Sequence, residues 1–250
     1  MQLIRIAGSS YSQYEELLLR RDELEKKAEH ILLEYTRIFG DISAEIFKLK
    51  IDCIALKKSI SYCITAKNRG ESVSQEKLRE YIAGKMAAYQ AELEKMVRQN
   101  ELSKKGEKIS VFQAKEIKRI YREIAKILHP DISNITEKHP PLADLFQRVL
   151  IAYHCNDYKE IKELEVLVNR ALEEIGEEKF ELVIPDVDAK IAELEEEIQR
   201  ITTTEPYTFR ELLDDSERVR QKMTAFEEER DSYVNYKAEL ESKLAEIQEG

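Results

Sequence analysis

The side chains able to do chemistry crowd into one stretch of the chain. His129 and Asp131 flank Pro130, His139 lies in the segment that follows, and Tyr153-His154-Cys155 closes a second apolar run. A metal ion needs converging ligands at a repeat such as His-x-x-x-His, and His129, His139 and His154 have no such spacing, so neither metal nor cofactor is expected. Cys155 beside His154 has the residue types of a nucleophile and its base. No third group is in view to orient the imidazole, so Cys155 reads as core or boundary and no residue reads as catalytic. The other two cysteines, Cys53 and Cys63, fall at helical seam positions, where small apolar packing is the simpler role. An odd cysteine count without a Cys-x-x-Cys pair speaks against a disulfide framework or a zinc ribbon. What the stretch offers instead is recognition by charge and shape.

The elements that must hold these residues are helices. Ile117, Ile120, Tyr121, Ile124 and Leu128 recur at the i, i+3, i+4 spacing of an amphipathic helix. Lys115, Lys118, Arg119, Arg122 and Lys126 form a basic stripe on the other face, leading in helical steps to His129. Pro130 has no backbone N–H and restricts the residue before it, so the helix must give way to a loop at His129. A second helix, Leu145 to Tyr153, follows the loop.

This arrangement resembles the J domain of DnaJ-type co-chaperones. The family's Tyr, mostly basic positions, aliphatic-Ala pair and His-Pro-Asp correspond here to Tyr121, Arg122, Glu123, Ile124, Ala125 and His129-Pro130-Asp131, and its following helix to Phe146 and Ala152-Tyr153. The resemblance covers about Ser110 to Leu172. It implies a module that docks on a DnaK-class heat-shock ATPase and stimulates ATP hydrolysis there, with no active site of its own. In that scheme Lys118, Arg119, Arg122 and Lys126 steer and rim the contact, and the His129-Pro130-Asp131 loop touches the ATPase at its domain junction. The family's short first helix has no counterpart between Glu101 and Phe112, so the third helix of the chain is expected to supply the missing packing surface. The rival reading is a coiled-coil scaffold or interaction protein that carries a degenerate J-like fold.

Composition sets the frame for both readings. With 42% hydrophobic and 36% charged residues, 7 Gly, 5 Pro and no Trp, the chain is expected to be all-α and elongated, with antiparallel coiled-coil helices flanking a small J-like module. A net charge of -10 argues against nucleic acid as a general partner, since that binding neutralises phosphates with Lys and Arg. No apolar run approaches the ~18 residues of a membrane span. The start, Met1-Gln-Leu-Ile-Arg-Ile, lacks the layout of a secretory signal, so a cytoplasmic location is the default expectation.

Three segments are expected: 1–105, an N-terminal helical hairpin plus a third helix; 106–176, the J-like module; and 177–250, a linker and C-terminal coiled-coil hairpin. Met1 to Ile6 and Lys179 to Ile184 read as short strands. Leu17, Arg21, Leu24, Ala28, Ile31, Tyr35 and Ile38 form a heptad seam that Gly40 is expected to end, and Ile42 to Cys63 forms the returning arm. Ser72 and Gln75 are spaced as a capping box for the third helix, which is seamed by Leu78, Ile82, Met86, Tyr89, Leu93 and Met96. Asp157 opens a helix carrying Ile161, Leu164, Leu167 and Val168, and Val187 to Ile201 forms another. The last helix is expected to start at a Thr208 and Glu211 capping box, with Leu212 to Ile247 as its seam. That seam outruns the helix before it, so its distal half should pack on the N-terminal helices or on a second copy, as a homodimer.

Overall fold

A computed structural model describes residues 9–105, 109–176 and 186–249. All secondary structure among the described residues is helical: α1 Ser9–Asn68, α2 Gln75–Lys105, α3 Val111–Leu128, α4 Ile135–Lys138, α5 Pro140–His154, α6 Tyr158–Ile175, α7 Val187–Thr203, α8 Phe209–Leu213 and α9 Ser216–Glu249. The all-α expectation therefore holds. Both expected strands lie outside the described residues. No described helix is long and apolar enough to cross a membrane. The chain packs as two units, one built from residues 9–29, 109–176 and 186–207, the other from 30–105 and 208–249.

In the first unit the apolar face of α3 is buried as its spacing requires. Ile117, Ile120, Tyr121 and Leu128 are fully enclosed, in one core with Phe146, Val149 and Tyr153 of α5 and Ile161, Leu164 and Val168 of α6. Tyr121 stacks on Tyr153 at 3.9 Å between ring centres and His129 meets Phe146 edge-on at 5.5 Å, so α3 and α5 run antiparallel. The helix ends are written in local chemistry. Ser110 and Gln113 close a reciprocal capping box on α3, Pro140 and Pro141 occupy the first turn of α5, and Asp157 caps α6 by accepting from the Glu160 N–H at 2.9 Å. The surface that completes this core comes from α1, not from the third helix: Leu19, fully buried, packs among the α3, α5 and α6 side chains. On its other side the start of α1 meets α7, where Tyr14 and Leu18 pack with Ile191, Leu194 and Ile132.

The second unit corrects the reading of Gly40. Helix α1 runs through it without a break. The antiparallel partner is α2, joined by a turn at residues 69–74, as the pairings Tyr62 with Tyr81, Asp41 with Asn100 and Arg37 with Ser103 require. The chain turns at Gly70 because it takes φ +69° there, with the Glu71 N–H donating to Ala66 O and the Gly70 N–H to Lys67 O. The cap of α2 is Ser74, whose hydroxyl accepts from the Lys77 N–H, in place of the expected Ser72. Gly40 has a different use. A Cβ there would sit 2.4 Å from Oδ1 of the buried Asn100, whose amide donates to Asp41 at 2.6 Å. The glycine is a seat for Asn100, and its missing side chain lets two helices approach closely.

The last helix also begins elsewhere than expected. Thr208 makes no side-chain cap, α8 stops at Leu213, and Asp215 caps α9 by accepting from the Glu217 and Arg218 N–H groups. Along α9 the seam residues Tyr233, Leu240, Leu244 and Ile247 pack with Cys53, Leu56 and Ile60 of α1, and Lys237 donates to Asp52 at 2.7 Å. Lys237, a polar position between Tyr233 and Leu240, thus meets its counter-charge within the chain.

Helix propensity alone makes Gly40→Ala stabilising by about 1 kcal/mol. The seat for Asn100 reverses that sign: the variant should lose about 1–3 kcal/mol through overpacking, read as a lower urea midpoint. Adding Asn100→Ala should recover part of the loss, and an unchanged or higher midpoint for Gly40→Ala alone would refute the seat.

Candidate functional site

The loop after α3 is built around a buried histidine. Its side chain is only 10% exposed, and the His129 backbone N–H still donates to Ala125 O as the last helical bond. The Ile132 and Ser133 N–H groups both donate to His129 O at 2.9 Å, and the Ser133 hydroxyl accepts from the Ile135 N–H, folding the chain into α4. Nδ1 of His129 accepts the N–H of Asp131 at 3.1 Å. That bond assigns the ring proton to Nε2, which points toward Asp22 Oδ2 at 3.9 Å. Burial pushes the His129 pKa below its ordinary value against the opposing pull of the Asp22 and Asp131 carboxylates. His129 is therefore an interior anchor, although the resemblance has it touching a partner together with Pro130 and Asp131. Pro130 and Asp131 are exposed beside it. Ile132, which sequence reasoning passed over, fastens the other side of the loop into the α1 and α7 contact.

The four basic residues read as a docking stripe are all ion-paired. Lys118 donates to Glu23 at 2.8 Å, and Arg122 donates to Glu23 at 2.7 Å and to Glu16 at 2.5 Å. Lys126 lies 3.3 Å from Glu15 and 3.6 Å from Glu16. As the number rises along α3 it falls along α1, so the two helices cross antiparallel with a basic ladder facing an acidic one. Arg119 sits apart from this ladder, donating to Glu116 and Glu123 of its own helix and to Glu165 of α6, and these carboxylates hold its pKa well above the ordinary value.

Beneath the ladder lies a carboxylate that the apolar seam reading did not single out. Asp22 is 5% exposed and accepts from the Tyr121 hydroxyl at 2.5 Å and from Arg21 at 2.7 Å. Burial first, then the Asp22 carboxylate, push the Tyr121 phenol far up, which keeps its proton on the donor side of this bond. Further along α1, Lys26 lies 3.7 Å over the Tyr153 ring, its pKa lowered to about 8 by burial, and Glu29 meets Nδ1 of His154 at 2.7 Å. Glu29 is the orienting partner for His154 that the sequence left unseen, and Cys155 stands exposed at the end of α5. The signal that could have found these residues is their period: Glu15, Leu19, Asp22, Lys26 and Glu29 step along α1 by fours and threes, a seam hidden from a search restricted to apolar residues. Among the described residues no group of three His, Cys, Asp or Glu side chains could hold a metal ion.

The anchor gives the fold a pH dependence of defined sign. The folded chain binds the His129 proton less readily than the unfolded chain does, so this stability is present above about pH 6.5 and is lost as the pH falls from there toward the lower folded value. Melting temperatures taken from about pH 7.5 to about pH 5 should fall more steeply for the wild type than for His129→Gln. Parallel curves would place the titration elsewhere. Tyr121→Phe should cost about 1–3 kcal/mol, because it leaves Oδ2 of the buried Asp22 without its hydroxyl donor while Arg21 holds only Oδ1, and a melting temperature equal to wild type would refute the bond.

Comparison with protein-family models, with characterised proteins and with solved structures gives no match.

Proposed function

We propose that the first unit is a J-like docking module that engages a DnaK-class heat-shock ATPase through the Pro130-Asp131 tip and stimulates ATP hydrolysis there, supplying no catalytic group of its own and acting in the cytoplasm. The observation that carries this reading is the clamped loop. His129 is held by Phe146 on one side and by the Asp131 N–H on the other, which presents Pro130 and Asp131 to solvent in one arrangement. A preorganised tip loses little conformational entropy on docking, which is how a small contact acquires affinity. In this scheme His129 is a positioning residue, and Asp131 is the group that meets the partner. Lys118, Arg119, Arg122 and Lys126 border the contact.

One observation favours the second reading, a coiled-coil scaffold with a degenerate J-like fold. The basic residues that would steer an acidic partner are neutralised inside the chain. Single-turnover ATP hydrolysis by the host's DnaK-class chaperone separates the two. The docking reading expects the full-length wild type to accelerate hydrolysis, Asp131→Asn to lose most of that acceleration, and His129→Gln to lose it as the tip loosens. No acceleration by the wild type would leave the scaffold reading standing. Equal acceleration by all three would remove the loop from the mechanism.

A further inference from the structure

The acidic ladder on α1 and the basic ladder on α3 have matching periods. Lys118, Arg122 and Lys126 are four residues apart and share one helical stripe, while Glu16 and Glu23 are seven apart and share another. Each of these two carboxylates bridges two bases: Glu23 joins Lys118 to Arg122, and Glu16 joins Arg122 to Lys126. The backbone that carries them is fixed, since Leu18 and Leu19 between them are wholly buried and Tyr14 and Asp22 nearly so. Glu16 lies at the rim, and Glu23 sits deeper, with 20% of its side chain exposed. The Glu16 side chain is 54% exposed and the Lys118 side chain 54%, so either can swing into water without disturbing the core.

We infer that Glu16 and Glu23 are an internal counter-charge that occupies the docking face of α3 and competes with an acidic partner for Lys118, Arg122 and Lys126. The inference rests on the docking reading above and concerns the regulation of that same face. The exposed Glu16 pair contributes little and exchanges readily, so a partner carboxylate can replace Glu16 on the guanidinium of Arg122, and from there compete for the part-buried Glu23 pair, while α1 stays docked by its leucines. Two carboxylates seven residues apart on a helix are separated by about 10 Å, which defines the surface that fits: an acidic helix or patch with two carboxylates at roughly that spacing. Glu15 differs from the other two. Its side chain is only 12% exposed, so it stays on Lys126 and is not exchanged.

Competition predicts a gain on removing acid, whereas a purely structural ladder predicts none. The double variant Glu16→Gln/Glu23→Gln keeps the shape of both side chains and both leucine contacts. Binding of the host's DnaK-class ATPase to the full chain, measured by titration calorimetry, should tighten on the order of 5- to 20-fold over wild type. Placing Arg122→Ala in both backgrounds should erase the difference. Separately, Lys118 in the double variant should acetylate faster under limiting acetic anhydride, a readout that needs no partner. Wild-type binding with an unchanged or weaker dissociation constant in the double variant would overturn the counter-charge and leave docking intact. Absence of binding by both proteins, with faster Lys118 acetylation in the variant, would overturn the docking reading and with it the regulatory role of the two glutamates.

Discussion

A buried carboxylate, Asp22, decides how α1 meets α3 and the loop that follows it. An ionised side chain of this kind is costly in the interior unless it is bonded, and Asp22 is bonded twice, by the Tyr121 hydroxyl and by Arg21. Replacing its surroundings by a shift of one turn along α1 would strand the charge. Leu18 and Leu19 supply the larger attraction, about 1.5–3 kcal/mol each for complete burial, but leucines alone are indifferent to small slips. The leucines hold α1 down, and Asp22 selects the register in which it is held. Glu16, Glu23, Lys26 and Glu29 then fall opposite Arg122, Lys118, Tyr153 and His154 as a consequence.

The same carboxylate bears on the loop. His129 Nε2 faces Asp22 from 3.9 Å, too far for a hydrogen bond, and Asp131 contributes to raising the pKa of the buried Tyr14 after burial itself. Ile132 closes the remaining side against Tyr14 and Leu18. Three positions flanking Pro130, His129, Asp131 and Ile132, thus report to α1: the imidazole by proximity to Asp22, the carboxylate through Tyr14, and the isoleucine by packing. The tip is rigid because both of its shoulders are interior residues. Only the proline and the aspartate between them face water.

Much of the J-like region could be read from residue order, and the reasons are local. A 3.6-residue period placed the buried face of α3, a proline fixed where it ends, and Asp157 and Gly176 delimited α6. What escaped was set by distant chain. Gly40 carries the mark of a helix end, yet nothing after it stops a helix, and its lack of a side chain answers to Asn100, sixty residues on. Likewise, α1 completes the core of α3, α5 and α6 through an acidic and mixed seam that apolar periodicity does not register. Thr208 and Glu211 had the spacing of a capping box, but Asp215 offered the next helix a cap just beyond. Local patterns located helices well; they located partners poorly, because partner choice here runs through polar residues.

That division bears on how the site is to be understood. Residues in the core of the first unit, Tyr121, Leu128, His129, Phe146 and Asp22, are committed to one arrangement and have no freedom to respond to a partner. Those at its rim, Lys118 and Glu16, are held by contacts that water and salt weaken, to the part-buried Glu23 and Arg122 respectively. In the docking reading proposed above, a surface made in two such layers separates what is recognised from how strongly: the shape of the tip belongs to the interior, and the charge on view to an exchange between side chains. On that reading, a change at Glu16 or Glu23 alters the strength of docking without touching the fold that aims it.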